Sequence, residues 1–212
     1  YGRKNAMLSQ ALNYIEVLKK ESLDTPGSVD VVAHSMGSLV LQDMIIESIE
    51  SGNRTFEKSN VVILAPSGTN DRESMPRLGG RFVRHMITEA RTTKNFDDIR
   101  GEMLKAGTKN FLANVPRTFR EMRELSKKRM IYGELQSYVG SVTVLSYAED
   151  RLYPHKVLES MLARANDGEY GVAVATPISI SDGRHGRDAS HNDEQFNPSR
   201  VAQSVSQILK TS

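Results

Sequence analysis

The sequence predicts an α/β protein in which helices flank a parallel β-sheet. Short apolar runs typical of buried strands occur at residues 28–33, 60–65, 141–145 and 171–176. Segments with the three-to-four-residue apolar spacing of amphipathic helices lie between these runs. Because strands that alternate with helices are joined by crossovers, the strands are expected to pair in parallel.

The composition fits a globular chain with one domain and room for an inserted subdomain. The chain has 212 residues, of which 25% are charged and 38% are apolar, and its formal net charge is +2. So small a charge does not by itself indicate a nucleic-acid-binding protein, and no apolar run is long enough to span a membrane. The absence of cysteine excludes a disulfide framework, a zinc–thiolate site and a cysteine nucleophile.

The first part of the chain, residues 1–70, contains two of the strands. Apolar spacing predicts a helix over residues 4–21, and the turn residues Thr25, Pro26 and Gly27 separate it from the first strand. A second helix is expected over residues 36–50, with Gly52 and Asn53 as its stop signal. Pro66, Ser67 and Gly68 end the second strand.

The pattern becomes helical over residues 71–138, which we interpret as an inserted helical subdomain. Three helices are expected there, with breaks near residues 92–93, Gly107 and Pro116. Strand character returns in residues 139–212, which also hold a helix after Pro154. A last helix follows Asn197 and Pro198, an N-cap residue and a proline suited to the first helical position.

A serine stands where the first strand passes directly into a helix. The segment is Ala33-His34-Ser35-Met36-Gly37, with a small residue two positions before and two positions after the serine. This Ala-x-Ser-x-Gly form is typical of a nucleophile elbow, a sharp turn that exposes a serine hydroxyl above the sheet. The motif indicates a serine hydrolase.

A serine nucleophile needs a base to accept its proton and an acid to orient that base. Glu149 and Asp150 follow the strand at residues 141–145, where open α/β sheets carry their functional side chains. His185 and His191 lie in the polar loop before the last helix. Either acid and either histidine satisfies these requirements.

Three segments together resemble the α/β-hydrolase fold superfamily. They are His34-Ser35-Met36-Gly37, then Ile63-Leu64-Ala65-Pro66, then Asp150-Arg151-Leu152-Tyr153-Pro154. The order serine, acid, histidine is also that of the superfamily. The resemblance covers nearly all 212 residues and begins just before the nucleophile strand. It implies the last four strands of that sheet, with residues 1–70 and 139–212 as the hydrolase core and residues 71–138 as a helical cap.

The resemblance also assigns roles to individual residues. Ser35 is the expected nucleophile and the Met36 N–H an oxyanion donor. Asp150 is preferred to Glu149 as the acid because of its spacing from Pro154. His191 is preferred to His185 as the base because Pro198 and the last helix follow it at the usual distance. No cofactor and no metal are expected.

The expected activity is hydrolysis of a carboxylic ester or related acyl compound through an acyl-serine intermediate. The alternatives are cleavage of an amide or carbon–carbon bond by the same triad, or a non-catalytic binding protein. The expected partner is a small acyl substrate, without nucleic acid. The insertion is rich in Lys and Arg, a composition that suits an anionic membrane surface. A membrane surface is therefore kept as an alternative partner, but it is not the favoured one.

The strands that precede the nucleophile strand in the superfamily are missing, so that strand would lie at a sheet edge with unpaired backbone groups. We therefore expect either that Tyr1 is not the biological start or that a second chain completes the sheet. No signal peptide is visible, so a cytoplasmic location is the default expectation. The start at Tyr1 leaves a preceding signal peptide open.

Overall fold

The chain forms a parallel sheet with flanking helices. The computed structural model describes residues 6–68, 74–92, 109, 114–146, 150, 152, 156–158, 160 and 198–211. Its elements, in chain order, are α1 (Ala6–Lys20), β1 (Val31–His34), α2 (Gly37–Glu50), β2 (Asn60–Leu64), α3 (Met75–Thr92), α4 (Val115–Leu125), α5 (Tyr132–Gln136), β3 (Ser141–Leu145) and α6 (Pro198–Thr211). The predicted α/β class with a parallel sheet is confirmed.

The sheet has the order β1-β2-β3, and both pairings are parallel. The register pairs His34 with Leu64 and Leu64 with Leu145, so the three strands end at the same edge. Residues Val61–Leu64 of the central strand are all buried. A strand covered on both faces must be apolar throughout, which explains why this run shows no polar alternation.

The strand predicted over residues 28–33 begins later, at Val31. Gly27 has a φ of +74°, and the Ser28 N–H donates to the Thr25 carbonyl over 3.1 Å. The Ser28 hydroxyl also donates to the Leu23 carbonyl at 2.6 Å. These local bonds keep the chain in a turn for longer than the apolar pattern indicates, because serine competes well for backbone partners.

Helix α2 packs against α1 and ends where its stop signal predicts. Gly52 has a φ of +70°, and the Asn53 N–H donates to the Ser48 carbonyl over 2.7 Å. Glycine takes this conformation without steric cost, which makes it the favoured residue after a helix. On α1, Met7, Ala11 and Ile15 are buried at four-residue spacing and form its apolar stripe.

The chain divides into two compact units. The first comprises Tyr1–Asp71 and Arg129–Ser212, and the second comprises Arg72–Lys128. The boundaries expected from the sequence, after residues 70 and 138, stay a prediction.

The second unit contains α3 and α4, which contact each other. A Cβ atom added at Gly79 of α3 would lie 3.4 Å from the Met122 methyl carbon of α4, which is an ordinary van der Waals contact. The predicted break near Pro116 is confirmed, because Asn114 is not helical and α4 begins at Val115 with Pro116 in its first turn. Proline is tolerated there since the first helical N–H groups have no intrahelical acceptor. The predicted break at Gly107 lies outside the described residues.

Helix α6 packs on the sheet through residues that share one face. Val201 is buried against Val62, Leu64, Ala65 and Leu145, and Val205, Ile208 and Leu209 pack at the border of this cluster. The predicted strand at residues 171–176, together with Asn197, lies outside the described residues. Within the described ranges, none of the helices combines the length and the hydropathy needed to cross a membrane.

Candidate active site

Ser35 lies at the carboxyl end of β1, in the turn that leads to α2. Its N–H donates to the Leu64 carbonyl over 2.9 Å, which continues the β1–β2 ladder one residue beyond His34. Its φ is +50°, in the left-handed region. A non-glycine residue pays about 1–2 kcal/mol for that conformation. This strained residue lies where the chain changes direction from strand β1 to helix α2.

The Ser35 carbonyl oxygen accepts hydrogen bonds from three donors among the described residues. The Ser38 N–H donates over 3.0 Å and the Ser67 N–H over 3.3 Å, and the Ser38 hydroxyl donates over 2.6 Å. Ser38 is part of α2, whereas Ser67 comes from the loop after β2. Donors from two separate elements therefore hold the backbone of Ser35 in place.

Met36 occupies the N-cap position of α2, with φ −59° and ψ −26°. No described residue accepts a hydrogen bond from its N–H. The N–H groups of a first helical turn carry a partial positive charge and suit an anionic acceptor. The Met36 N–H therefore lies at the amino end of α2, where an anionic acceptor is favoured.

The loop after β2 brings a second serine to Ser35. Ala65 has a φ of +43°, and its N–H donates to the Leu145 carbonyl over 2.8 Å. Ala65 and Ser35 thus each extend a strand by one residue and then turn away. Two residues later, Ser67 is 1% exposed, and its hydroxyl oxygen lies 3.4 Å from that of Ser35.

The sequence motifs predict no functional role for Ser38 or Ser67. The sequence identifies Ser67 only as a residue that ends a strand, and it lies three residues after Leu64, the last residue of β2. The signal that would have found it is its position after a parallel strand, beside the strand that leads to Ser35. For Ser38 the signal is its spacing, since a serine hydroxyl commonly bonds the carbonyl three residues earlier.

Asp150 lies beyond the carboxyl end of β3. It is 3% exposed, and its Oδ1 accepts the Leu152 N–H over 2.8 Å. Because β1 and β3 are parallel, Asp150 and Ser35 both follow strands that end at the same edge of the sheet. A buried carboxylate needs hydrogen-bond donors, and a backbone N–H supplies one here.

The remaining predicted residues, His191 with its alternative His185 and the alternative acid Glu149, lie outside the described residues. The structure therefore brings Ser35 and Met36 into one turn and puts Asp150 after β3. The described residues hold no group of three or more His, Asp or Glu side chains arranged to bind a metal ion.

Solved structures similar to this chain include three with named activities. Est816, an N-acyl homoserine lactone degrading enzyme, is 14% identical, with a TM-score of 0.57 over 95% of this chain and 74% of its own. A thermophilic esterase from Thermogutta terrifontis is 16% identical, with a TM-score of 0.50 over 97% of this chain and 72% of its own. The NocB thioesterase domain, in covalent complex with a fluorophosphonate nocardicin G analog, is 14% identical, with a TM-score of 0.51 over 99% of this chain and 76% of its own.

No protein-family model and no curated protein matches the sequence. The assignment of the fold therefore rests on the similarity to solved structures. At sequence identities this low, the similarity shows the fold alone. The similar structures have a common architecture, and the parallel sheet with flanking helices matches it. The chain has the α/β-hydrolase fold.

Proposed function

We propose that this protein is a serine hydrolase that cleaves a carboxylic ester or related acyl compound. The observation that carries the proposal is Ser35 itself, with its φ of +50° in the turn between β1 and α2. A serine in a strained strand-to-helix turn presents its hydroxyl at the end of the sheet, as a nucleophile elbow does. Backbone strain of this kind clusters at functional sites.

In the proposed mechanism, the Ser35 hydroxyl oxygen attacks the substrate carbonyl carbon while His191 accepts the hydroxyl proton. The Met36 N–H donates to the oxyanion of the tetrahedral intermediate. As the intermediate collapses, His191 returns the proton to the leaving alcohol and an acyl-serine remains. Water, deprotonated by His191, then attacks the acyl carbon, and His191 returns this proton to the Ser35 oxygen as the carboxylic acid leaves. Asp150 orients the imidazole and stabilises its protonated form.

The choice of acyl substrates is supported by the named activities of the similar structures. An esterase, a lactone-degrading enzyme and a thioesterase domain all act at the carbonyl carbon of an acyl compound. An ester is also a less demanding substrate than an amide, because its alkoxide is the better leaving group. We therefore propose an ester, with the acyl chain left open.

We also propose that further polypeptide, either a preceding segment or a second chain, completes the sheet beside β1. Among the described residues, β1 pairs with β2 alone, and Val32 in this strand is 46% exposed. An apolar edge strand without a charged residue or proline is open to pairing. This added part would also supply the second oxyanion donor. A stable, monodisperse monomer of these 212 residues in sedimentation would contradict this proposal.

The cytoplasmic location stays a prediction.

A substrate panel tests the reaction class. We expect p-nitrophenyl esters of increasing acyl length to be hydrolysed by the protein and not by its Ser35→Ala variant. Matched p-nitroanilides and a vinylogous diketone should react at least about 100-fold more slowly, because their leaving groups are poorer. Preference for the anilide or the diketone would instead establish amide or carbon–carbon bond cleavage. A folded protein that turns over none of them would favour the binding-protein alternative.

A further inference from the structure

The peptide unit between Ser35 and Met36 links two features of the candidate site. The Ser35 carbonyl and the Met36 N–H belong to the same planar group. Because the described chain has no cis peptide bond, the two point in opposite directions. Any contact that fixes the Ser35 carbonyl therefore also fixes the direction of the Met36 N–H.

The Ser38 hydroxyl makes the shortest of the three contacts to that carbonyl, at 2.6 Å. Ser38 is 0% exposed, so water does not compete for its hydroxyl. A hydrogen bond in such a place resists breaking because the Ser38 hydroxyl would be left unsatisfied away from solvent. The contact is therefore a rigid restraint on the Ser35–Met36 peptide unit.

The hydroxyl of Ser38 is not needed to satisfy the hydrogen-bonding capacity of the Ser35 carbonyl. That oxygen already accepts the N–H groups of Ser38 and Ser67, and a carbonyl oxygen has two lone pairs. The hydroxyl is a third donor, and its effect is therefore on orientation. Ser48 on the same helix offers a comparison, since it is 2% exposed and its hydroxyl has no hydrogen-bond partner among the described residues.

We propose that Ser38 is a positioning residue for the oxyanion donor. Its hydroxyl fixes the orientation of the Ser35–Met36 peptide unit. The Met36 N–H therefore already points towards the position of the developing oxyanion before the substrate binds. A donor that is fixed in advance needs no reorganisation during the reaction, which is the main source of its effect on rate. The catalytic part of this inference rests on the proposed function, whereas the restraint on the peptide unit does not.

The restraint is tested by ¹⁵N relaxation of the Met36 amide in the full chain. We expect the order parameter of this amide to fall from the rigid range, about 0.85, towards about 0.7 in Ser38→Ala. In Ser48→Ala, which also removes a buried hydroxyl from α2, it should stay unchanged. An equal order parameter in the wild-type protein and Ser38→Ala would overturn the inference, whether or not the protein is an enzyme.

The catalytic part is tested with p-nitrophenyl acetate as the probe substrate. Ser38→Ala should lower kcat about 10-fold and leave KM unchanged, because an oxyanion donor acts in the transition state and loosening it costs less than removing it. Ser48→Ala should keep the wild-type kcat. If the wild-type protein hydrolyses the ester and Ser38→Ala does so at the same rate, the inference is wrong and the proposed function stands. If the wild-type protein neither hydrolyses the ester nor reacts with a fluorophosphonate, the proposed function itself is wrong.

Discussion

The hydroxyl oxygens of Ser35 and Ser67 lie 3.4 Å apart, although 32 residues separate them in sequence. The parallel pairing of β1 with β2 produces this contact, because each serine follows the carboxyl end of its strand. A second bond, from the Ser67 N–H to the Ser35 carbonyl, joins the same two residues. The loop after β2 is thus a direct structural neighbour of the proposed nucleophile.

We predict that Ser67→Ala slows the reaction of Ser35 with a fluorophosphonate by about 2- to 10-fold, because a net hydrogen bond is worth ~0.5–1.5 kcal/mol. The Ser67 N–H bond to the Ser35 carbonyl does not involve the side chain, so the fold should persist. Ser59→Ala is the matched control. Ser59 is also buried, but its hydroxyl lies 3.5 Å from the Thr55 carbonyl, at the amino end of β2. Equal labelling rates for both variants would show that the contact between the serines has no effect on reactivity.

Asp150→Asn should lower kcat for p-nitrophenyl acetate by about 10⁴-fold, since an amide stabilises neither the required histidine tautomer nor the imidazolium. The amide oxygen of asparagine can still accept the Leu152 N–H, so the loop should keep its structure. Asp30→Asn removes an equal charge from a carboxylate that accepts the Asn60 N–H over 2.8 Å. That control should remain active. A loss of less than tenfold in Asp150→Asn would point to Glu149 as the acid.

Gly140, just before β3, has no room for a side chain. A Cβ atom there would lie 2.8 Å from the Lys58 carbonyl oxygen and 3.0 Å from its carbonyl carbon. Gly140→Ala should therefore lower the free energy of unfolding by about 1–3 kcal/mol, as overpacking does. Gly80→Ala in α3 should instead raise it by up to about 1 kcal/mol, since no atom lies within 4 Å of the added Cβ. Urea unfolding measures both changes. Equal stability of the two variants would contradict the described packing between Gly140 and Lys58.

The sequence predicts the elements whose signal is local. The continuous apolar run of β2 and the glycine after α2 each specify their structure from neighbouring residues, and both predictions are confirmed. The error at Ser28 comes from a residue with two local options. Serine can bond a preceding turn or enter a strand.

In the candidate site, too, local motifs are predicted from the sequence and contacts between distant segments are not. Ser35 and Asp150 are identified by motif and spacing, and these assignments stay predictions. The contacts of Ser67 depend on the pairing of two strands that are distant in sequence. The proposed role of Ser38 depends on a hydrogen bond that a serine can form but does not always form. Such relationships arise from register and burial, which one sequence does not specify residue by residue.

Intact-mass analysis after treatment with a fluorophosphonate tests the central claim most directly. The wild-type protein should gain the mass of one phosphonyl group, and peptide mapping should locate it on Ser35. Ser35→Ala should gain none, and His191→Ala should react at least about 100-fold more slowly, because the hydroxyl then lacks its base. Ser59→Ala should label like the wild-type protein. A folded wild-type protein that stays unmodified, or that is modified equally in Ser35→Ala, would contradict the assignment of Ser35 as a catalytic nucleophile.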